Sequence, residues 1–418
     1  MTAVRSAPPS RSAPVSMLSL LRNVEFRVLT ITLFFSLVGD QLARVALSVL
    51  VFDRTNSSMQ AAIAYALTFV PSAIGGPLLN GLADRLPRRS VMIASDLARA
   101  PLIAIIAVPS IPLPLAFIVL ALAGLFEAPF TAARSALLPD VLQGDRDTSA
   151  LASSQITNQV AQVGGFGIAG TLLLAWSPSV LLLLDAGSFV ISALLIARLV
   201  SYRPAAHTPR ITERRTAWWK HAIPDARVSL NIVMRPRDIR GLALLAWAAS
   251  FFSIGFEALG APLARDAGSG HWTVGVLLAM QPLGTVIGAV IAVRIPRASR
   301  HRAINLMGLL CVAALIGGLA KPPLWILLMI GVLSGVGMAY AVLLGSTLVP
   351  RIAPEVRGRA LGLVGSGLFV SQGLGVLLAG SVASVIDARL AVGILGVVGT
   401  AIVLLTVWRT PQTADPVP

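Results

Sequence analysis

The stretch "NGLADRLPRRSVM", from Asn80 to Met92, places one aspartate and three arginines in a short turn. The segment before it reads "AIAYALTFVPSAIGGPLL", and the segment after it reads "IASDLARAPLIAIIAVP". Each apolar segment approaches the ~20 residues that a helix needs to cross a hydrocarbon layer of about 30 Å. The pattern predicts two membrane-spanning helices that are joined by a charged loop at the membrane surface.

The composition extends this prediction to the whole chain. Of its 418 residues, 56% are apolar and 12% are charged, whereas about 25% of the residues in a soluble domain are charged. The mean hydropathy is +0.83. A membrane β-barrel would show short segments of alternating hydrophobicity instead of long apolar runs. The expected fold class is therefore an all-α polytopic membrane protein.

Apolar runs separated by Pro, Gly and charged residues predict twelve spans in two groups of six. Spans 1 to 6 are predicted at residues 26–50, 60–80, 90–108, 113–133, 150–175 and 179–199. Spans 7 to 12 are predicted at residues 241–263, 271–293, 303–320, 323–348, 359–382 and 389–408.

The spans divide the chain into five regions. Residues 1–25 are rich in Pro and Ser and are predicted to be a disordered cytoplasmic N-terminus. Residues 26–199 and 241–408 are the two six-helix bundles. Residues 200–240 are expected to form a cytoplasmic linker with an amphipathic segment at the inner surface, because Trp218 and Trp219 lie beside basic residues. Residues 409–418 are a cytoplasmic tail.

The basic residues predict the orientation. With both termini cytoplasmic, the outer loops hold only four cations, Arg54, Arg265, Lys321 and Arg389, of the 33 Lys and Arg residues. The net charge of +15 then faces anionic lipids of the inner leaflet, and no nucleic-acid partner is expected. We expect a bacterial plasma (inner) membrane location with both termini cytoplasmic. The excess of Arg over Lys, with abundant Ala, Gly and Pro, is typical of a GC-rich genome.

A repeated motif relates the two halves. Span 5 contains "QVGGFGIAG" at residues 162–170, and span 11 contains "QGLGVLLAG" at residues 372–380. The shared positions are Gln162, Gly165, Gly170, Gln372, Gly375 and Gly380. Small residues let membrane helices approach closely, so the glycines are predicted to pack helices. The glutamines lie near mid-membrane, where they either contact the substrate or a gate, or only support packing.

Ionisable residues inside a membrane are energetically unfavourable and therefore informative. Asp40 and Arg44 are one turn apart on the same face of span 1. They either neutralise each other and support packing, or meet the substrate or a proton. Asp96 and Arg99 of span 3 are three residues apart and are predicted to be a structural ion pair.

Two glutamates, Glu127 of span 4 and Glu257 of span 7, are further candidates for proton coupling. A desolvated carboxyl in a central cavity could take up a proton near neutral pH. The alternatives are helix packing and recognition of a charged substrate. Cys311 is the single cysteine and has no His beside it, so no metal site is expected.

Residues 81–89, "GLADRLPRR", resemble the signature loop that joins the second and third spans of the major facilitator superfamily. The matching residues are Gly81, Asp84, Arg85, Arg88 and Arg89, and Pro87 stands where the family usually has Gly. The pieces "SLVGDQLARVALSVLVFDRT", "ARSALLPDVL", "LLDAGSFVISALL" and "VPRIAPEVRGRALGL" resemble the branch with macrolide-efflux proteins and the enterobactin exporter. Phe166 follows Gly165, where antiporters of the family normally have Gly-Pro.

The resemblance implies a cavity lined by spans 1, 4, 7 and 10, and a cytoplasmic gate at the signature loop. Asp84 would bond to the N-terminus of span 11 near Arg359, while Arg85, Arg88 and Arg89 would bind lipid phosphates or carboxylates such as Asp140. A plain positively charged inner turn is the alternative, although it does not account for the aspartate.

These observations predict a secondary active exporter of amphipathic small organic molecules, of the drug:proton antiporter type. The chain has no phosphate-binding G-x-x-x-x-G-K-[ST] loop, so no cofactor is expected and the proton gradient is the expected energy source. Proton-coupled uptake or facilitated diffusion is the alternative within the same fold. An enzyme is not expected, because no nucleophile–base set or paired catalytic carboxylates appear. The resemblance implies a monomer.

Overall fold

The computed structural model describes residues 23–71, 75, 86–142, 147–204 and 230–409. Among these, the side chains of residues 139–140, 142, 147–156, 354–355, 358–359 and 409 lie outside the description. Gly81, Asp84 and Arg85 of the signature loop, and most of the predicted linker, also lie outside the described residues. All regular secondary structure in the described ranges is helical.

The described helices follow the order of the predicted spans. In the first half, span 1 is Val24–Thr55, span 2 begins as Ser58–Leu67, span 3 is Arg88–Ile106, span 4 is Leu113–Leu125 with Glu127–Leu142, span 5 is Asp147–Leu172, and span 6 is Pro178–Leu199. In the second half, span 7 is Arg237–Ala258 with Gly260–Asp266, span 8 is Trp272–Val293, span 9 is Arg300–Ala313 continuing into the 3₁₀ turn Ala314–Ala320, span 10 is Leu324–Met338 with Tyr340–Arg351, span 11 is Pro354–Ala383, and span 12 is Ala388–Arg409.

Nine helical segments in the described part of the chain are long and apolar enough to cross a membrane. The helices at spans 2, 3 and 5 complete the pattern but are shorter or more polar. Span 3 carries Arg88, Arg89, Asp96 and Arg99 within 19 residues, which lowers its hydropathy. Of these residues, Asp96 and Arg99 are buried against other helices and do not face lipid.

Helix ends follow local sequence chemistry. The side chain of Asn23 accepts a hydrogen bond from the backbone N–H of Phe26 and caps span 1, and Ser57 caps span 2 in the same way. Such caps satisfy backbone donors that have no partner in the first turn. Asn56, between these spans, has a left-handed backbone with φ of 49°, a conformation that asparagine tolerates better than most residues.

Spans 4, 7 and 10 are interrupted, although the sequence predicts each as one continuous helix. The breaks fall at Phe126, Leu259 and Ala339, where one helical segment ends and the next begins. At Phe126 the backbone N–H turns toward the carbonyls of Ala123 and Gly124, whereas the N–H of Leu259 keeps its helical bond to Gly255 and also contacts Glu257. Two of the breaks lie within two residues of Glu127 and Glu257, so these carboxyls lie beside points where the span is interrupted.

The two halves pack by the same plan. Span 1 lies against spans 5 and 6, and span 7 lies against spans 11 and 12. Span 3 packs on span 6, and span 9 packs on span 12. Contacts between the halves are also paired, because span 2 lies against span 11 and span 5 against span 8. This arrangement is a twofold-related pair of six-helix bundles.

The repeated glycines mark equivalent contacts in the two halves. A Cβ atom at Gly165 would lie 2.8 Å from Gln41 on span 1, and a Cβ at Gly375 would overlap the carbonyl oxygen of Phe251 on span 7. The second glycine of each motif faces the other half. A Cβ at Gly170 would lie 2.6 Å from the Trp272 oxygen on span 8, and one at Gly380 would lie 2.6 Å from Ala62 on span 2.

The motif therefore has two separate packing functions. Its first glycine joins helices inside one half, and its second glycine joins the two halves. The repeat in sequence is thus also a repeat in helix contacts.

Replacing Gly375 by Ala should destabilise the second half by about 1–3 kcal/mol, because a methyl group there overlaps the backbone of span 7. The measurement is the thermal unfolding midpoint of the detergent-solubilised protein. Gly362→Ala is the matched control on the same helix, since no atom lies within 4 Å of that position. An equal decrease in both variants would contradict the proposed contact.

Candidate functional site

A group of charged side chains lies inside the first half, where spans 1, 3 and 6 meet. The guanidinium of Arg99 lies 2.6 Å from the Asp40 carboxylate and 4.0 Å above the ring of Phe189. The prediction that Arg99 pairs with Asp96 is therefore wrong, since its ion-pair partner is on a different helix. Side chains that are three residues apart on a helix, such as Asp96 and Arg99, can touch. Here the packing of span 3 against spans 1 and 6 directs the Arg99 guanidinium toward Asp40 instead.

Two further carboxyls, Asp96 and Asp185, belong to this group and are 0% and 1% exposed. Both lie within electrostatic range of Arg99. The hydroxyl of Ser188 lies 3.4 Å from the Asp185 carboxylate. Span 1 has Gly39 beside Asp185, and a Cβ there would overlap the carboxylate. Glycine at this position makes room for a charge between two helices.

A small cavity adjoins Asp40, Arg44, Arg99 and Asp185. Its volume is about 20 Å³, and one water needs at least ~10–15 Å³. The space suits a single water and is far too small for an organic molecule. This part of the site is therefore suited to holding charge and protons and not to binding a substrate.

Arg44 occupies the boundary between this group and the other half. It donates a hydrogen bond of 3.3 Å to Gln41 and makes no ion pair with Asp40 within 4.0 Å among the described contacts. The alternative in which Asp40 and Arg44 neutralise each other is therefore wrong, because Asp40 forms its ion pair with Arg99. Arg44 lies within electrostatic range of Asp40, Glu127 and Glu257.

One hydrogen bond crosses between the halves near mid-membrane. The hydroxyl of Tyr65, on span 2, donates to the Glu257 carboxylate on span 7. Around it, an apolar cluster joins spans 2, 7 and 11. Its members are Ala62, Tyr65, Ala66, Phe69, Ile254, Ala258 and Val376. Tyr65 is thus a site residue that the sequence analysis missed, although the chain has only three tyrosines and one inside a span is itself a signal.

The halves also meet at the predicted outer rim. His271 Nε2 lies 3.3 Å from Asp53, which is an ion pair when the imidazole is protonated. Arg265 donates a 3.2 Å hydrogen bond to Asn56 and lies 4.3 Å above the Phe52 ring. The sequence predicts no contact among these residues, since nothing local shows that two segments far apart in the chain meet.

A cavity of about 260 Å³ lies beneath this rim and is bordered by Phe52, Asp53, Arg265 and His271. Pockets for organic ligands are usually about 300–1,000 Å³, so this one is a narrow vestibule. With the Gly170 and Gly380 contacts, the rim pairs hold the halves together on the predicted outer side.

Comparison with known proteins identifies this architecture. The model of the family described as Major Facilitator Superfamily matches residues 29–319 and 258–418. The chain belongs to the Major Facilitator Superfamily. It is therefore a multi-pass membrane protein of a transporter family, as the spans and the signature loop predicted.

Curated relatives are distant members of the same family. Macrolide efflux protein A of Streptococcus pyogenes is 22% identical over 228 residues, which is 54% of this chain and 55% of the relative. The chain thus spans about half the length of that relative. Enterobactin exporter EntS of Shigella dysenteriae is 27% identical over 379 residues, covering 87% of this chain and 86% of the exporter.

Solved structures show the same fold. A peptide transporter, POT, superposes with a TM-score of 0.73 at 12% identity and covers 96% of this chain and 99% of its own. At this identity the likeness concerns the facilitator fold alone. The predicted fold class, an all-α facilitator with two six-helix bundles, is confirmed.

In this facilitator, the described part of the signature loop binds backbone carbonyls of its own half. Arg88 donates a 2.8 Å hydrogen bond to the carbonyl of Ala136 on span 4, and Arg89 donates to the carbonyl of Ala197 on span 6. Ala197 lies in the last turn of span 6, where a cation is stabilising. These two arginines therefore join spans 3, 4 and 6, and the proposed latch through Asp84 stays a prediction.

The two repeat glutamines have different neighbours. Gln162 donates a 3.1 Å hydrogen bond to Asn158 within span 5, which is a local contact. Gln372 is half-buried on span 11. Their predicted roles in substrate or gate contact stay predictions.

Asp40→Asn should lower the free energy of unfolding by about 3 kcal/mol, because it leaves the buried Arg99 charge without its counter-ion. Asp96→Asn should be milder, since Arg99 pairs elsewhere. Thermal unfolding in detergent measures both. Equal losses in the two variants would favour the Asp96 pairing instead.

Asp387→Asn is a control at the membrane surface. Hydrogen bonds from Arg389 hold the pKa of Asp387 below its ordinary value. Removing the charge of this more exposed pair should cost at most about 1 kcal/mol. A loss as large as that of Asp40→Asn would show that burial does not determine the difference.

Cysteines at positions 53 and 271 should cross-link the halves through a short bifunctional maleimide. The measurement uses a variant with a protease site inserted in residues 205–229, so that cleaved halves stay joined only after reaction at both positions. Asp53→Cys and His271→Cys alone are the controls, and native Cys311 is buried. Halves that separate in the double variant would contradict the rim contact.

Proposed function

We propose that this facilitator is a proton-coupled exporter of amphipathic small organic molecules, such as a drug, a macrolide, or a siderophore or other secondary metabolite. The observation that supports it most is the charge group that extends from Asp40 to Glu257 across both halves. Five carboxyls, on spans 1, 3, 4, 6 and 7, lie around two guanidiniums. The group therefore cannot be neutralised by its arginines alone.

The excess of carboxyls gives the proposal its energy source. Unpaired ionised carboxyls are strongly disfavoured inside a membrane, so proton binding and release change the charge of this group. A substrate that approaches the interface end of the group, at Glu257, alters the same balance. Exchange of substrate for protons, with the proton gradient as the energy source and no cofactor, follows from this competition.

The contacts between the halves support alternating access. They lie from mid-membrane at Tyr65 to the rim at His271, which corresponds to closure on the predicted outer side. Inner-side closure would require the halves to rock about the contacts of spans 2, 5, 8 and 11. Glycine at the interface, as at Gly170 and Gly275, gives smooth surfaces for this motion.

The direction of transport is part of the proposal. The named exporters among the relatives support export, while Phe166, in place of the proline typical of antiporters, favours the second candidate, proton-coupled uptake or facilitated diffusion. We propose a bacterial inner membrane location with cytoplasmic termini, inner-face arginines that bind anionic lipids, and a functional monomer without a nucleic-acid partner.

Everted vesicles should accumulate lipophilic drugs, macrolides or siderophores when a proton gradient is present, and should lose them when an uncoupler is added. Glu257→Gln and Glu127→Gln should reduce this accumulation toward the vesicle background, because each removes a titratable group of the proposed site. The measurement is uptake of a fluorescent or radiolabelled panel.

Glu25→Gln is the matched control, since Glu25 pairs with Arg203 at the inner face, away from the central group. Accumulation that persists with the uncoupler would contradict proton antiport. Accumulation in right-side-out vesicles and not in everted ones would favour uptake.

A further inference from the structure

The hydrogen bond between Tyr65 and Glu257 has a special position in the fold. Tyr65 is 1% exposed, and its ring packs edge-on against Phe69 with centroids 5.9 Å apart. Its hydroxyl faces the opposite half and donates to the carboxylate there. The buried apolar cluster of spans 2, 7 and 11 therefore includes a hydrogen bond to a group that can change its charge.

We propose that Tyr65 is a positioning residue that makes outer closure depend on the charge of Glu257. This inference rests on the proposed proton-coupled transport and adds to it the residue through which protonation reaches the first half. Tyr65 does not exchange protons in this scheme. It holds the second half while Glu257 is ionised and releases it when the carboxyl is neutralised.

The chemistry of the bond supports this role. A phenol has one O–H to donate, and a bond to an ionised carboxylate is about twice as strong as one between neutral groups. A proton on Glu257 converts the first kind of bond into the second. Arg44, on span 1, interacts electrostatically with Glu257 and also lies near Asp40 and Glu127. When Glu257 is neutralised, the Arg44 charge therefore still has carboxylates of the same group beside it.

The hydrogen bond between Tyr65 and Glu257 lies beside the break in span 7. Glu257 lies two residues before Leu259, where Arg237–Ala258 ends and Gly260–Asp266 begins. The short segment carries Arg265, which contacts Asn56 at the rim. Tyr65 and Asn56 of the first half therefore bond to span 7 on the two sides of its break, at Glu257 and at Arg265. Release of Glu257 removes the bond on the membrane-interior side of the break.

This arrangement prevents unproductive opening. An empty carrier with ionised Glu257 stays closed on the outer side, because the charged bond to Tyr65 is intact. A substrate that engages Glu257, or a proton that neutralises it, weakens the bond and permits opening. The ionised, empty protein therefore cannot cycle and dissipate the gradient.

The test measures the distance between spin labels on the two halves across a pH titration. Trp176→Cys and Val385→Cys place the labels near the predicted outer ends of spans 5 and 11, at exposed positions. In the otherwise native protein the outward-open population should rise as the pH falls. In Tyr65→Phe that population should be higher at alkaline pH, by several-fold and up to about tenfold, and should change little with pH.

Tyr340→Phe is the matched control, because its buried hydroxyl bonds to Ala246 and Ser250 of its own half. It should leave the pH dependence unchanged. Tyr65→Phe should have no further effect in a Glu257→Gln background, since both changes remove the same charged bond. Glu257→Gln alone should flatten the titration, which tests the inference even if Tyr65→Phe fails to fold.

A Tyr65→Phe titration like that of the native protein, or equal effects of Tyr65→Phe and Tyr340→Phe, would overturn the inference. These distances need no substrate, so they separate this inference from the exporter proposal. Vesicles that transport nothing would reject the proposed function and leave the titration valid. Normal transport with an unaltered Tyr65→Phe titration would reject the role of Tyr65 alone.

Discussion

A carboxylate inside a membrane requires a cation or a proton beside it, and this constraint organises the interior of the first half. Arg99 reaches across from span 3 to satisfy Asp40, which leaves Asp96 and Asp185 close to a charge that is already engaged. The attraction between Arg99 and these carboxylates stabilises the packing of spans 1, 3 and 6, in addition to their apolar contacts. In the proposed mechanism, protons neutralise the carboxyls of this group that the two arginines do not balance.

The glycine repeat separates what is fixed from what moves. Gly165 and Gly375 bring helices of one half into backbone contact, where a cavity or a clash would be costly and the packing is rigid. Gly170 and Gly380 make contacts between the halves. A small residue at such a contact leaves little interdigitation to break, so one motif serves both a stable bundle and an interface that can slide.

Composition, loop charge and the repeat in spans 5 and 11 were enough to predict the helical fold, the two halves and the packing glycines. They were not enough to pair the charges. The Asp96–Arg99 prediction failed because spacing along a helix shows which side chains can meet, whereas the rotation of span 3 against spans 1 and 6 decides which do. Tyr65, Asp53 and His271 were missed for the same reason, since their partners are far away in sequence and on the other half.

The halves are alike in backbone packing and unlike in chemistry. Beneath span 7, the second half fills its equivalent interior with neutral groups, as Gln281 donates to Ser334 at 2.9 Å and Ser334 donates to the Cys311 carbonyl at 2.8 Å. Among the described residues, the charged group inside the membrane lies mostly in the first half, and the second half contributes Glu257 at the interface. In the proposed mechanism, a half with this neutral core presents one titratable group to a charged half and responds to its protonation. The asymmetry in charge on a symmetric backbone would then make the motion between the halves depend on protons.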